Sequence, residues 1–345
     1  MALRPARLAP GIALSAVVFS AALLWGLAGS PLSGRPGESS PARRPAPPPH
    51  VEAKAAVLID ADTGRILYSK KAHERLPPGE LAKILAALVA LEEDSPDREA
   101  RIGRGSASAF GWGMTVAEGD LVPLGDLIAL MLYRPGPAAA FAVAEHVAGS
   151  IEAFSRRMDA AARRIGAGSS SFQDPSGAGG ESRSTAYDLA LIALEALRRP
   201  EIAKLVARTR AVLAWRGRGV INVNSFLLSE PGAAGIKTSF TPESGHSLAL
   251  AVEREGRRLL LVTLGSPTAE ARRADARSLI AYGIAHFEGL SASPAVERTA
   301  YRVQEGDTLA GLAERFGVPL SAIRLANDIT DPDALRAGEV LWIPR

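Results

Sequence analysis

Glu80 and Lys83 are the residues of this chain whose types and spacing come nearest to doing chemistry. They lie in Pro77-Pro78-Gly79-Glu80-Leu81-Ala82-Lys83, ahead of an apolar run from Ile84 to Leu91. Positions i and i+3 of a helix share a face. A lysine so placed could take the proton of a hydroxyl one turn earlier and arm it for acyl transfer, with helix N-terminal amides close to the developing oxyanion. Position 80 carries a carboxylate instead. Attack by a carboxylate on an amide would yield a mixed anhydride, and its charge would oppose an oxyanion. Glu80 suits the positive end of a helix dipole and is expected to pair with Lys83. No Ser-x-x-Lys occurs anywhere in the chain.

Composition removes other chemistries. The chain has no cysteine, which excludes disulfides, thiolate catalysis, Cys-based metal sites and a lipid-modified cysteine. The histidines His50, His73, His146, His246 and His286 lie far apart without ligand spacing, so no metal and no cofactor are expected. A net charge of +3, with scattered arginines, argues against nucleic acid. At 345 residues and 47% hydrophobic content, two folded units with sizeable cores are expected.

The elements that would position Glu80 and Lys83 begin downstream of a targeting signal. Arg4 and Arg7 precede an uncharged stretch, Leu8 to Gly34, with an apolar heart from Ile12 to Leu27. Residues 1–30 therefore read as a signal peptide, with Gly26-Leu27-Ala28 near a cleavage site, or as a retained anchor in the inner membrane. Either places the rest outside the cytoplasm, in the periplasm or cell envelope. Residues 31–52 form a Pro-rich linker, with seven prolines between Pro31 and Pro49.

The first folded unit is expected over 53–290. Ala55 to Asp60 and Arg65 to Ser69 flank the turn residues Ala61-Asp62-Thr63-Gly64 as a hairpin. Helical periodicity follows at 80–93, 123–133, 138–148, 151–165 and 184–198. Ser247 to Val252 and Arg258 to Leu264 form another hairpin, and a helix near 270–287 closes the unit. Strands at both ends with helices between predict one antiparallel sheet covered by helices, an α+β fold. After a linker at 291–300, a unit over 301–345 shows the order strand, helix, helix, strand. Asp307 or Thr308 is placed to cap its first helix.

The first unit resembles the D-alanyl-D-alanine carboxypeptidases, low-molecular-mass penicillin-binding serine peptidases that trim peptidoglycan stem peptides. The likeness runs collinearly through Val57 to Tyr68, Ala144 to Ser150, Asp174-Pro175-Ser176-Gly177, Ser184 to Ala190, Gly235 to Thr241 and Ala281-Tyr282-Gly283. It implies a β-lactamase/transpeptidase-like fold and three catalytic clusters. In the first, Ser-x-x-Lys, Glu80 stands at the nucleophile position and Lys83 remains. In the second, Ser-x-Asn, Pro135 and Pro137 stand where the serine and asparagine would be, without polar side chains or N–H groups. Pro137 can simply begin the following helix at its N1 position. In the third, Lys-Thr-Gly, Lys237 and Thr238 would hold the substrate carboxylate. Ser239 adds a side chain where glycine lets substrate approach.

The second unit resembles a LysM peptidoglycan-binding domain over its whole length, from Tyr301-Arg302-Val303 through Ile323 and Asn327 to Gly338, Leu341, Ile343 and Pro344. The resemblance implies a shallow groove for N-acetylglucosamine-containing glycan. It would be lined by Gly306, Asp307, Thr308 and Leu309 and by the loop around Ile329, Thr330 and Asp331.

The leading expectation is an exported peptidoglycan-binding pseudoenzyme. LysM would hold it on glycan strands while the degenerate domain binds a stem peptide or a protein partner. The alternative is an active or residually active carboxypeptidase with another nucleophile. A third reading is an envelope adaptor whose cleft has closed.

Overall fold

A computed structural model describes residues 47–109, 116–254, 256–290, 298–318, 320, 323–324, 327, 329 and 335–344. The expected signal and most of the Pro-rich linker lie outside them. No helix of the described residues is long and apolar enough to cross a membrane.

In chain order, β1 (Ala55–Asp60) and β2 (Ile66–Lys70) form the opening hairpin, and a 3-10 turn over Gly79–Leu81 leads into α1 (Ala82–Glu93). There follow β3 (Glu99–Arg101), α2 (Arg104–Ala109), β4 (Leu121–Pro123), α3 (Leu124–Tyr133), α4 (Ala138–Ala148) and α5 (Ile151–Ile165). Next come α6 (Ala186–Leu197), α7 (Pro200–Val206), β5 (Arg210–Val212), β6 (Gly219–Ile221) and α8 (Phe226–Ser229). The unit ends with β7 (Ala233–Thr241), β8 (Gly245–Arg254), β9 (Arg257–Ser266) and α9 (Ala269–Leu290). Beyond it lie β10 (Arg298–Arg302), α10 (Leu309–Phe316) and β11 (Val340–Pro344).

The main sheet has the order β2-β1-β9-β8-β7, with every pair antiparallel. The first strand thus sits beside a strand two hundred residues later, with Val57 opposite Val262. Helices cover both faces, so β1 is buried at all six positions and its side chains divide by parity. Ala55, Val57 and Ile59 join Leu260 and Val262 in the core under α1, α3, α4, α5 and α6. Ala56 and Leu58 join Leu261, Leu279 and Ile280 in the second core under α9. This is the expected α+β arrangement.

α1 is apolar around its circumference and buried from Ala82 to Ala90, which places it at the centre of the helical layer. Helices with clear caps match the expected ranges closely. Ser150 accepts from Ala153 N at 3.1 Å to start α5, and Thr185 accepts from Asp188 N at 2.9 Å to start α6. The proline-started α7 and the short pairs β3–β4 and β5–β6 were not foreseen. Their strands of three residues are too short to show periodicity.

In the second unit β10 pairs antiparallel with β11, Tyr301 opposite Leu341, over a core of Val303, Leu309, Leu312, Ile323 and Ile343. Leu320, Ile323 and Arg324 are helical, where the second helix was expected.

Candidate functional site

Three separate elements bring the candidate residues together. Glu80 lies in the 3-10 turn ahead of α1, and Lys83 is one turn on. The second contribution is the loop 134–137 between α3 and α4. The third is β7, where Lys237 pairs with Ala249 and Ser239 with Ser247. Lys237 and Ser239, two residues apart, share the face of the sheet that carries Ala249 in the helical core; Thr238 between them pairs with Leu248.

The centre of the arrangement is the Glu80 carboxylate. Its Oε1 accepts from Lys83 Nζ at 2.7 Å and from the backbone N–H of Gly136 at 2.7 Å. Lys83 Nζ also donates to the carbonyls of Gly136 at 2.7 Å and Arg134 at 3.4 Å. Lys237 Nζ lies 4.0 Å from Glu80 Oε2 and donates to Leu132 O at 2.9 Å. Glu80, Lys83, Lys237, Thr238 and Ser239 are all buried. The expected Glu80–Lys83 pair is therefore present, and it is desolvated. Breaking a pair of this kind by removing one member costs about 3–5 kcal/mol, because a charge is left without a partner in low dielectric.

Two lysines share one carboxylate. Burial lowers the pKa of Lys83, against which Glu80 and Asp174 act. Burial lowers Lys237 to about 7, with repulsion from Lys83 adding to the effect and Glu80 opposing it.

Where Pro135 and Pro137 were expected to leave nothing of use, their loop contributes backbone. Gly136 has a φ of +100° and turns its N–H to Glu80 and its carbonyl to Lys83. Pro137 occupies the cap position and not N1: it precedes α4, and its carbonyl accepts from Phe141 N at 2.9 Å. The flanking prolines restrict the chain around Gly136, so the clamp is made of main chain, which a side-chain motif cannot register.

Ser239 supplies the contact with the greatest chemical consequence. Its Oγ accepts from the backbone N–H of Glu80 at 2.8 Å. In acyl transfer the N–H of the nucleophilic residue faces the oxyanion; here that donor is taken internally. The turn itself is braced from two sides. A Cβ on Gly79 (φ +55°) would come within 2.5 Å of Ser244 Oγ and 2.6 Å of Ser239 Oγ. A Cβ on Gly177 (φ +68°) would lie 1.9 Å from the Gly79 carbonyl. Asp174 Oδ1 fixes Gly177 by accepting from Ser176 N at 2.8 Å and Gly177 N at 2.9 Å.

Arg272, near the start of α9, was not anticipated. Its guanidinium reaches Ser239 O at 3.2 Å and Ser247 O at 3.4 Å, while its Nε finds no hydrogen-bond partner among the described residues. Burial, with Arg273 adding to it, lowers its pKa to about 10. An arginine 35 residues from Lys237 carries no local signal that would tie it to this strand.

In the second unit, Thr308 Oγ1 caps α10 by accepting from Gly311 N at 3.1 Å. Asp307 does not cap. It accepts from Gln304 N at 2.7 Å and from Tyr301 OH at 2.8 Å, which closes the turn at Gly306 (φ +87°). Leu309 is buried in the core. Ile329 is described, and its carbonyl accepts from Arg324 Nε at 3.2 Å; Thr330 and Asp331 lie outside the described residues. Among the described residues, no group of His, Asp and Glu could hold a metal ion.

Comparison with known proteins agrees with this architecture. Residues 42–268 match the family described as D-alanyl-D-alanine carboxypeptidase, and residues 301–344 match the LysM domain. The D-alanyl-D-alanine carboxypeptidase DacF of Bacillus subtilis is 29% identical over 250 residues, 69% of this chain and 63% of that protein. DacC of Escherichia coli is 26% identical over 318 residues, 85% of this chain and 79% of its own. The match to DacF thus spans less than two thirds of that relative. Among solved structures, a D-alanyl-D-alanine carboxypeptidase from Mycobacterium tuberculosis superposes with a TM-score of 0.66 at 28% identity, covering 71% of this chain and 95% of that one. A point mutant of a Streptomyces DD-transpeptidase gives 0.62 at 26% identity, covering 69% and 99%.

Proposed function

We propose that this chain, which belongs to the D-alanyl-D-alanine carboxypeptidase family, is a non-catalytic peptidoglycan-binding protein of the cell envelope. The observation that carries the proposal is the double occupation of the acyl-transfer centre. The Glu80 carboxylate stands where a nucleophilic hydroxyl would act, locked by Lys83 and Gly136, and Ser239 consumes the Glu80 N–H that an oxyanion would need.

Lys83 is fully satisfied by one carboxylate and two carbonyls, so it is no free base for a hydroxyl. Lys237 is turned to Leu132 O and Glu80 and lies buried. That orientation supports a closed cleft over one that holds a substrate carboxylate, and it favours the adaptor form of the reading. The LysM unit supplies attachment to N-acetylglucosamine-containing strands, and the N-terminal segment supplies export, with cleavage or anchoring in the inner membrane.

The test is covalent labelling by a fluorescent penicillin of the natural protein, Glu80→Ser, and Glu80→Ser with Ser239→Gly. None is expected to label. The single variant still lacks its oxyanion donor, and both lack the Ser-x-Asn hydroxyl and amide. Labelling of the natural protein at any serine would overturn the proposal. So would release of D-alanine from a pentapeptide analogue that Lys237→Ala abolishes, since that is what an active carboxypeptidase with another nucleophile would show.

A further inference from the structure

The β5–β6 hairpin and the segment after it present a surface that the site does not use. From Gly219 to Phe226 exposure alternates strictly: Val220 and Phe226 point inward together with two asparagines, and two aliphatic residues point outward. Asn222 and Asn224 point inward and are buried, while Ile221 and Val223 point outward at 67% and 43% exposure. Across the hairpin Val212 is 74% exposed on the same face, and Leu228 further on is 83% exposed.

A slip of one residue would exchange the two sets, burying Ile221 and Val223 but exposing Val220 and Phe226. The observed register is held by the buried Val220 and Phe226 and by polar bonds. Asn222 N donates to Thr209 O at 2.9 Å, its Nδ2 to Arg208 O at 3.1 Å, and its Oδ1 accepts from Asn224 N at 3.0 Å. Asn224 accepts from Phe226 N at 3.3 Å, yet its Nδ2 is buried without a partner among the described residues. What this register leaves in water is a cluster of aliphatic side chains, Val212, Ile221, Val223 and Leu228, and an exposed apolar cluster of this kind marks an interaction surface.

Its charge indicates the use. Between Ala207 and Ser229 there are four arginines, Arg208, Arg210, Arg216 and Arg218, and no acidic residue. All four are exposed. Arg216 pairs with Asp120 at 3.1 Å and lies over the Trp215 ring. The partner is therefore anionic and accepts small aliphatic groups. Two strands of three residues offer far less than the roughly 800 Å² per side of a stable protein interface. A lipid surface needs only a few shallowly inserted side chains with cations around them.

We propose that the outer face of β5–β6, with Val223 and Leu228, docks on the anionic headgroups of a bilayer and inserts Val212 and Ile221 at the interface. Because the chain has no cysteine, Ile221→Cys gives a single position for an environment-sensitive fluorophore in the full-length protein. Vesicles of phosphatidylcholine and phosphatidylglycerol at about 3:1 should shift its emission to the blue and expose it to a bilayer-embedded quencher. Arg208→Glu with Arg210→Glu, or high salt, should weaken the effect roughly tenfold or more. Insertion of the N-terminal segment alone would not move a probe at position 221. Emission unchanged from buffer, an equal shift on pure phosphatidylcholine, or a shift without lipid that marks contact between protein molecules would each overturn the proposal. A Val212→Cys label on the opposite strand repeats the test if the first label disturbs the hairpin.

Discussion

Lys237 is the residue at which the site's electrostatics become measurable. Its folded-state pKa, about 7, lies below the roughly 10.4 of an unfolded lysine. Between those values the unfolded chain holds the extra proton, so stability attributable to this residue rises with pH across that window. Below pH 7 the full cost of burying the ammonium is present. Lys237→Met should therefore stabilise the protein at pH 6, on the order of 1–3 kcal/mol after the lost bond to Leu132 O is counted, and the gain should fade by pH 10. Urea denaturation of both proteins at the two pH values checks this, and a variant less stable at pH 6 would contradict it. At this scale the Glu80–Lys83 pair was legible because i and i+3 spacing is local. The Ser239–Glu80 bond spans 159 residues, and nothing near either residue announces it.

Among the elements, the turn before α1 decides the shape of the site, and Gly177 decides the turn. Its φ of +68° and the 1.9 Å approach of an added Cβ to the Gly79 carbonyl leave no room for a side chain against backbone. Gly177→Ala should cost about 2–4 kcal/mol, a value in the range of backbone strain combined with a steric clash. Thermal unfolding measures it; Gly136→Ala, where an added Cβ meets nothing within 4 Å, serves as the comparison for φ strain alone. The segment Asp174 to Gly177 was recognisable in the sequence as a family-like piece, but its task of bracing Gly79 was not. Long helices such as α5 and α6 were readable from caps and periodicity. The β5–β6 strands escaped because each has three residues and the polar side chains of the following segment point inward.

The whole molecule joins a carboxypeptidase-family domain to a LysM domain. Arg324, buried in the second unit, lies 3.3 Å from Glu195 on α6, and a Cβ on Gly166 after α5 would touch Leu320 at 3.5 Å. If glycan binding is the function, the full chain should sediment with purified peptidoglycan sacculi. N-acetylglucosamine oligomers should compete it off, and Glu80→Ser should be retained as well as the natural protein. Loss of sacculus binding with Glu80→Ser, despite an unchanged LysM unit, would show that attachment depends on the carboxypeptidase-like site.

By itself the sequence determined the fold family, the two-part organisation, the lack of any Ser-x-x-Lys and the pairing of Glu80 with Lys83. Each rests on local spacing, periodicity or collinear motifs. Only the tertiary structure decided which distant groups surround Glu80 and Lys83. These groups are the Gly136 backbone, the Ser239 hydroxyl and the Lys237 ammonium. They come from a loop and a strand that the sheet order brings to one helix end, and a hydrogen bond to main chain leaves no mark on residue type.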